Sequence, residues 1–137
     1  MKGYQKYQKA SVEKMSPIKL TIMMYQKCLL NMKWIKENIN NVEKSEAEKY
    51  YSNTELILYE LQLSLDRSIH LPLEVKEHVA DLDRRYAILL NQLIQIKDNY
   101  DGKVNDDLII GFEKLLEGYR SATSNKNEPM IGEDGNE

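Results

Sequence analysis

The chain has a single cysteine, Cys28, and so cannot close an internal disulfide. An oxidising compartment is therefore not required. Cys28 lies in an apolar stretch, where a free thiol acts as a small hydrophobe. Breakers are scarce too, with 6 glycines and 3 prolines in 137 residues. Together with abundant Leu, Ile, Lys, Glu and Gln, this points to an all-helical protein. No uncharged run reaches about 18 residues, so no membrane-spanning helix is expected. The start lacks the continuous apolar segment of a secretory signal. The expected location is the cytosol.

Histidine is nearly absent, with only His70 and His78. Glu74 and His78 stand four residues apart and could share one metal. A bundle di-iron site needs paired Glu-x-x-His motifs and further inward glutamates, and the chain has no Glu-x-x-His at all. There is no glycine-rich phosphate loop and no Gly-x-Ser-x-Gly elbow. No enzymatic activity, cofactor or metal is expected. A net charge of -3 argues against nucleic acid as the main partner, because phosphate binding needs a concentrated basic face.

Apolar residues make up 42% and charged residues 30%, an ordinary globular balance for one domain of this length. Ser16-Pro17 reads as a helix start, with serine as the cap and proline at the first helical position. The first helix is expected over 17–42. It carries one row of Ile18, Ile22, Tyr25, Leu29, Met32, Ile35, Ile39 and Val42. A second row holds Leu20, Met23, Met24, Cys28, Leu30 and Trp34. "SEAE" at 45–48 reads as a capping box opening a helix over 46–66. That helix bears Ala47, Tyr51, Thr54, Leu58, Leu61 and Leu65, with a second row of Leu56, Tyr59 and Leu63.

Pro72 opens a third helix over 73–100, with Val75, Val79, Leu82, Tyr86, Leu89, Leu93, Ile96 and Tyr100 on one face. Gly102 is expected as its left-handed terminator. Asn105 or Asp106 then caps a short fourth helix over 106–121. Short connections make successive helices antiparallel. The prediction is an all-α, antiparallel up-down four-helix bundle over 16–122. A basic N-terminal arm (1–15) precedes it, either as a mobile cap or as a short extra helix, and a disordered acidic tail (123–137) follows it.

The first two helices carry more apolar surface than one core absorbs, and such a surplus on a soluble protein marks an interaction surface. At this point "YQKYQKASVEKMSPIKLTIMMY", residues 4–25, becomes specific. It resembles the N-terminal signature of the FliS family of flagellar export chaperones through Tyr4, Tyr7, Val12, Glu13, Ser16, Pro17, Leu20, Met23 and Tyr25. The likeness continues through "ELQLSLD" (60–66), "EVKEHVADL" (74–82) and "LIIGFEKLLEGYRSA" (108–122). It departs at Gln26-Lys27, where the family often has Asp-Gly, and around Asp83-Arg84-Arg85-Tyr86.

The resemblance implies a non-enzymatic bundle in the bacterial cytosol. It implies binding of the C-terminal helical segment of flagellin in a hydrophobic groove, suppression of premature polymerisation, and delivery to the type III export apparatus, whose gate components are further candidate partners. It also implies that the tail bearing Tyr4 and Tyr7 covers the groove until the client displaces it. The residues expected to meet the partner are Tyr4, Tyr7, Val12, Leu20, Met23, Met24, Tyr25, Leu56, Tyr59 and Leu63. The alternative reading is a structural bundle whose surplus rows dimerise with a second copy.

Overall fold

A computed structural model describes residues 17–68 and 70–126. The expected arm, its Tyr4, Tyr7 and Val12, the Ser16 cap and residues 127–137 lie outside the described residues. Four helices follow one another: α1 (Pro17–Asn38), α2 (Lys44–Leu63), α3 (Leu73–Asp98) and α4 (Gly102–Lys126). α1 packs between α2 and α4, and α3 closes the ring on the far side. Side-chain pairs give the directions. Tyr25 meets Tyr119 while Lys36 meets Asp106, so α1 and α4 run antiparallel. Gln62 meets Asp83 while Glu55 meets Lys97, so α2 and α3 do as well. The all-α bundle expected from the periodicity is the fold.

The core is built from three-and-four-spaced positions on each helix. Met32, Ile35, Ile57, Leu58, Leu61, Leu93, Ile96, Leu108 and Phe112 are shut off from solvent. Each large apolar side chain so buried contributes about 1.5–3 kcal/mol. At Gly111 α4 comes so close to α3 that an added Cβ would lie 2.6 Å from Leu89 Cδ2.

The core also holds a polar layer that apolar periodicity does not reveal. Asn31, 2% exposed, donates from Nδ2 to Asn53 Oδ1 at 2.8 Å and to Thr54 Oγ1 at 3.0 Å. Thr54 in turn donates to the Tyr50 carbonyl at 2.9 Å. Buried polar groups are tolerated when paired in this way. Across the bundle, the Tyr25 and Tyr86 hydroxyls share a hydrogen bond of 2.7 Å, tying α1 to α3, its diagonal partner.

The helix ends depart from expectation. α2 and α3 stop at Leu63 and Asp98, short of 66 and 100, and α4 is not short: it runs to Lys126 and so takes in 123–126 of the tail expected to be disordered. α1 stops at Asn38, whose amide donates to the Trp34 carbonyl at 2.9 Å. α2 opens at Lys44 with Glu43 as its N-cap residue and no side-chain cap bond. The Ser45–Glu48 capping box is therefore not formed, because Ser45 is already inside the helix. Gly102 does not terminate α3: among the described residues no glycine has positive φ, and the chain leaves α3 extended at Asn99. Gly102 instead begins α4, and Asp101 Oδ1 accepts from the N–H groups of Lys103 and Val104 at 2.8 and 3.3 Å. Asp101 is thus the cap that had been assigned to Asn105 or Asp106. Asn105 is fully buried, and its amide donates to the Met32 carbonyl at 3.2 Å.

Asp101→Ala should lower stability by about 0.5–2 kcal/mol, while Ser45→Ala should change it far less; denaturant midpoints of the two variants check this. A second expectation concerns alkaline pH. Burial, followed by the neighbouring Tyr86, raises the Tyr25 hydroxyl well above the ordinary tyrosine value, and burial pushes Tyr51 up to about 12. A raised folded-state pKa gives stability that is complete below the unfolded value of about 10 and is lost as pH rises beyond it. Thermal midpoints should stay level up to about pH 10 and then fall, and Tyr25→Phe should flatten that fall.

Candidate functional site

The outer flank of α1 and the back of α2 form one seam. Trp34 of α1 stacks on Tyr50 of α2 with ring centroids 3.9 Å apart and planes inclined by 16°. This contact and the Asn31–Thr54 bond fix how the two helices are rotated against each other. With 3.6 residues per turn, α2 then turns Thr54, Leu58 and Leu61 into the core. Leu56, Tyr59 and Leu63, at spacings of three and four, fall on its outer side. α1 likewise turns Tyr25, Cys28, Met32 and Ile35 inward. Leu20, Met23, Leu30 and Trp34 are left on the flank towards α2.

Exposure agrees with this placement. Leu63 is 81% exposed, Leu30 63% and Tyr59 42%, while Leu20, Met23 and Leu56 are half-buried. Of the expected partner-binding residues, the structure therefore brings Leu20, Met23, Leu56 and Leu63 to one seam, with Tyr59 further round α2. Met24 and Tyr25 do not belong to it. They are 4% and 1% exposed, and a docked partner cannot reach them while the bundle is closed. The reason is rotational: Met23 and Met24 are 100° apart on the helix, and only one can face out. Met32 is core for the same reason. Leu30 and Trp34 complete the seam. Their membership in the second apolar row was the available signal.

The seam has little chemistry beyond apolar contact. Cys28 is fully buried, and desolvation holds its thiol far above the usual range, so it is not a nucleophile. Glu74 and His78 are both exposed on α3. Among the described residues no group of three ligating side chains gathers, and no helix is long and apolar enough to cross a membrane. Among the described residues the ion pairs lie between neighbouring helices, along α3, or between α3 and the connection that precedes it. Lys97 Nζ meets Glu55 Oε1 at 3.1 Å across α2 and α3, and Arg67 meets Asp83 at 3.1 Å.

The two classes of residue predict opposite behaviour. Leu63→Ser should change stability by no more than about 0.5 kcal/mol, as expected of an exposed position away from packing. Tyr25→Ala removes a core ring and should cost about 3–5 kcal/mol. Urea unfolding of both variants separates surface from core.

None of the curated proteins compared with the chain matches it. Among solved structures, one described as "Crystal structure of flagellar chaperone from bacteria" superposes with a TM-score of 0.70 at 26% identity. The match covers 91% of this chain and 98% of that one. A family model described as "Flagellar protein FliS" matches residues 1–126, which takes in all four helices and the tyrosine-bearing start. The chain belongs to the FliS family of flagellar proteins.

Proposed function

We propose that this protein is a flagellar export chaperone that binds the C-terminal helical segment of flagellin on the α1–α2 seam. The observation that carries the reading is the group of exposed apolar residues Leu30, Tyr59 and Leu63, with half-buried Leu56 beside them on α2, which the described residues leave uncovered although the core is closed. An amphipathic helix lays its apolar face on such a surface through anchors at three-and-four spacing. A client segment that would bury that same face in a filament cannot polymerise while it is held. Met23 at the edge of the seam suits a ligand of uneven shape, because an unbranched thioether repacks easily.

On this reading the protein has no catalytic role and works in the bacterial cytosol, where the client waits before export. The export gate is its second partner, and the start of the chain, with Tyr4, Tyr7 and Val12, is a displaceable cap over the seam. Binding couples to folding of the client, so part of the contact energy is spent on ordering it.

Flagellin should co-elute with the protein, and flagellin lacking its C-terminal segment should not. The double variant Leu30→Ser, Leu63→Ser should melt like the parent and bind the client at least about tenfold more weakly, since each buried leucine is worth about 1.5–3 kcal/mol. Full binding of the truncated client would refute the reading. So would concentration-dependent self-association without affinity for flagellin.

A further inference from the structure

The two halves of α3 are held very differently. Its buried residues, Tyr86, Leu89, Leu93 and Ile96, all lie in the second half. Against the rest of the described residues, none from Leu73 to Arg85 is buried. Leu73 is 70% exposed and Val75 40%, although Val75, Val79 and Leu82 continue the apolar row of Tyr86 and Leu89. The register with α2 gives the reason. Gln62 meets Asp83 and α2 ends at Leu63, so the start of α3 runs on past the end of α2. On that side it has the 64–72 connection, across a cleft of about 380 Å³ whose walls include Arg67, Leu71, Lys76, Val79 and Asp83.

Little else fixes this half. Pro72 stands at the N-cap and gives no side-chain bond to the open N–H groups of the first turn. Asp81 pairs with Arg84 and Arg85, but those pairs are internal to the helix. Among the described residues, the side-chain hydrogen bonds and ion pairs that tie 73–85 to the rest of the molecule meet at one group. Asp83 Oδ1 accepts from Arg67 Nη2 at 3.1 Å and from Gln62 Nε2 at 3.4 Å. A helix of this length without a well-packed face is marginal in water. Stability is uneven within a fold, and segments with few buried apolar contacts open on their own.

We infer that Leu73–Arg85 is a flap that opens while Tyr86–Asp98 stays packed, and that Asp83 is its latch. The hinge is the point where Tyr86 enters the core. Leu65 and Leu82 rest half-buried against that core, and opening bares them, just beyond exposed Leu63 in the case of Leu65. The apolar surface at the end of α2 is therefore adjustable: smaller with the flap latched and larger with it open. A partner that binds the larger surface shifts the flap towards its open state. The device belongs to the free protein and does not depend on which client the seam takes.

Hydrogen exchange of the full chain, followed amide by amide by NMR, tests this. Amides of 77–84 should be at least about a hundredfold less protected than those of 89–97. Their exchange should respond weakly to low urea, because a local opening exposes little surface, while 89–97 should follow global unfolding. Arg67→Ala removes the latch from outside the helix. It should speed exchange of 77–84 by about two- to fivefold, the range of an exposed ion pair. Ile96→Val weakens a core contact that the open state keeps. It should speed exchange of 89–97 by about two- to tenfold and leave 77–84 as in the parent.

Equal protection of the two halves with one urea dependence would overturn the flap. So would a rise in 77–84 on Ile96→Val that matches the rise in 89–97, since α3 would then open as one unit. Unchanged exchange of 77–84 in Arg67→Ala would overturn Asp83 as the latch.

Discussion

The amide of Asn31 decides which surface this protein shows. Both rows of α1 are apolar, so the hydrophobic effect alone does not choose between them: it is non-directional and rewards burying either. The hydrogen bonds from Asn31 to Asn53 and Thr54 do choose. Any other rotation of α1 would strand that amide, and two acceptors with it, in a dry interior. Once α1 is pinned, Met24, Tyr25, Cys28 and Met32 must point inward. Met23 and Leu30 are left over. The apolar seam is thus a by-product of satisfying a buried amide.

The same constraint explains how much of the molecule could be read from its sequence. The four helices and their order were legible because their apolar positions repeat at the helical period. The excess of apolar residues on α1 and α2 was legible for the same reason. Which residues make up the surface was only half legible. Leu56, Tyr59 and Leu63 fall where their spacing puts them, but Met24, a member of the second row, and Tyr25, expected at the partner through the family resemblance, both turn inward, because spacing alone does not show the polar layer that sets the rotation of α1. Asn105 reads as a helix cap and nothing in the sequence marks Asn31 or Asn53 as buried, since an isolated asparagine gives no sign of the partner it will find many residues away. The helix ends were missed for a local reason. Ser45 and Gly102 are good capping residues in themselves, yet Glu43 and Asp101 stand at the true ends, and those ends are set by where the core positions start.

Neighbouring elements share the work of holding the seam in place. The tie between Tyr25 and Tyr86 joins two helices that lie diagonally across the bundle, so α3 steadies α1 without packing along it. Tyr119 of α4 meets Tyr25 edge-on with centroids 5.9 Å apart, a favoured aromatic arrangement. Two helices, α3 and α4, therefore converge on one ring of α1. Among the described residues the surface of α1 and α2 can keep its apolar side chains outward because the interior behind it is cross-braced. A chaperone that holds another chain's hydrophobic face needs a surface that does not collapse into its own core.

Trp34 is the only tryptophan in the chain, against nine tyrosines, and it lies flat on Tyr50 where α1 meets α2. Its indole therefore reports on one junction and not on the molecule as a whole. Light absorbed by the other aromatic residues averages over every helix, whereas selective excitation of Trp34 isolates the packing of this one pair. The protein carries an intrinsic optical gauge at the border of its own apolar seam, with no label to perturb the contact it reads.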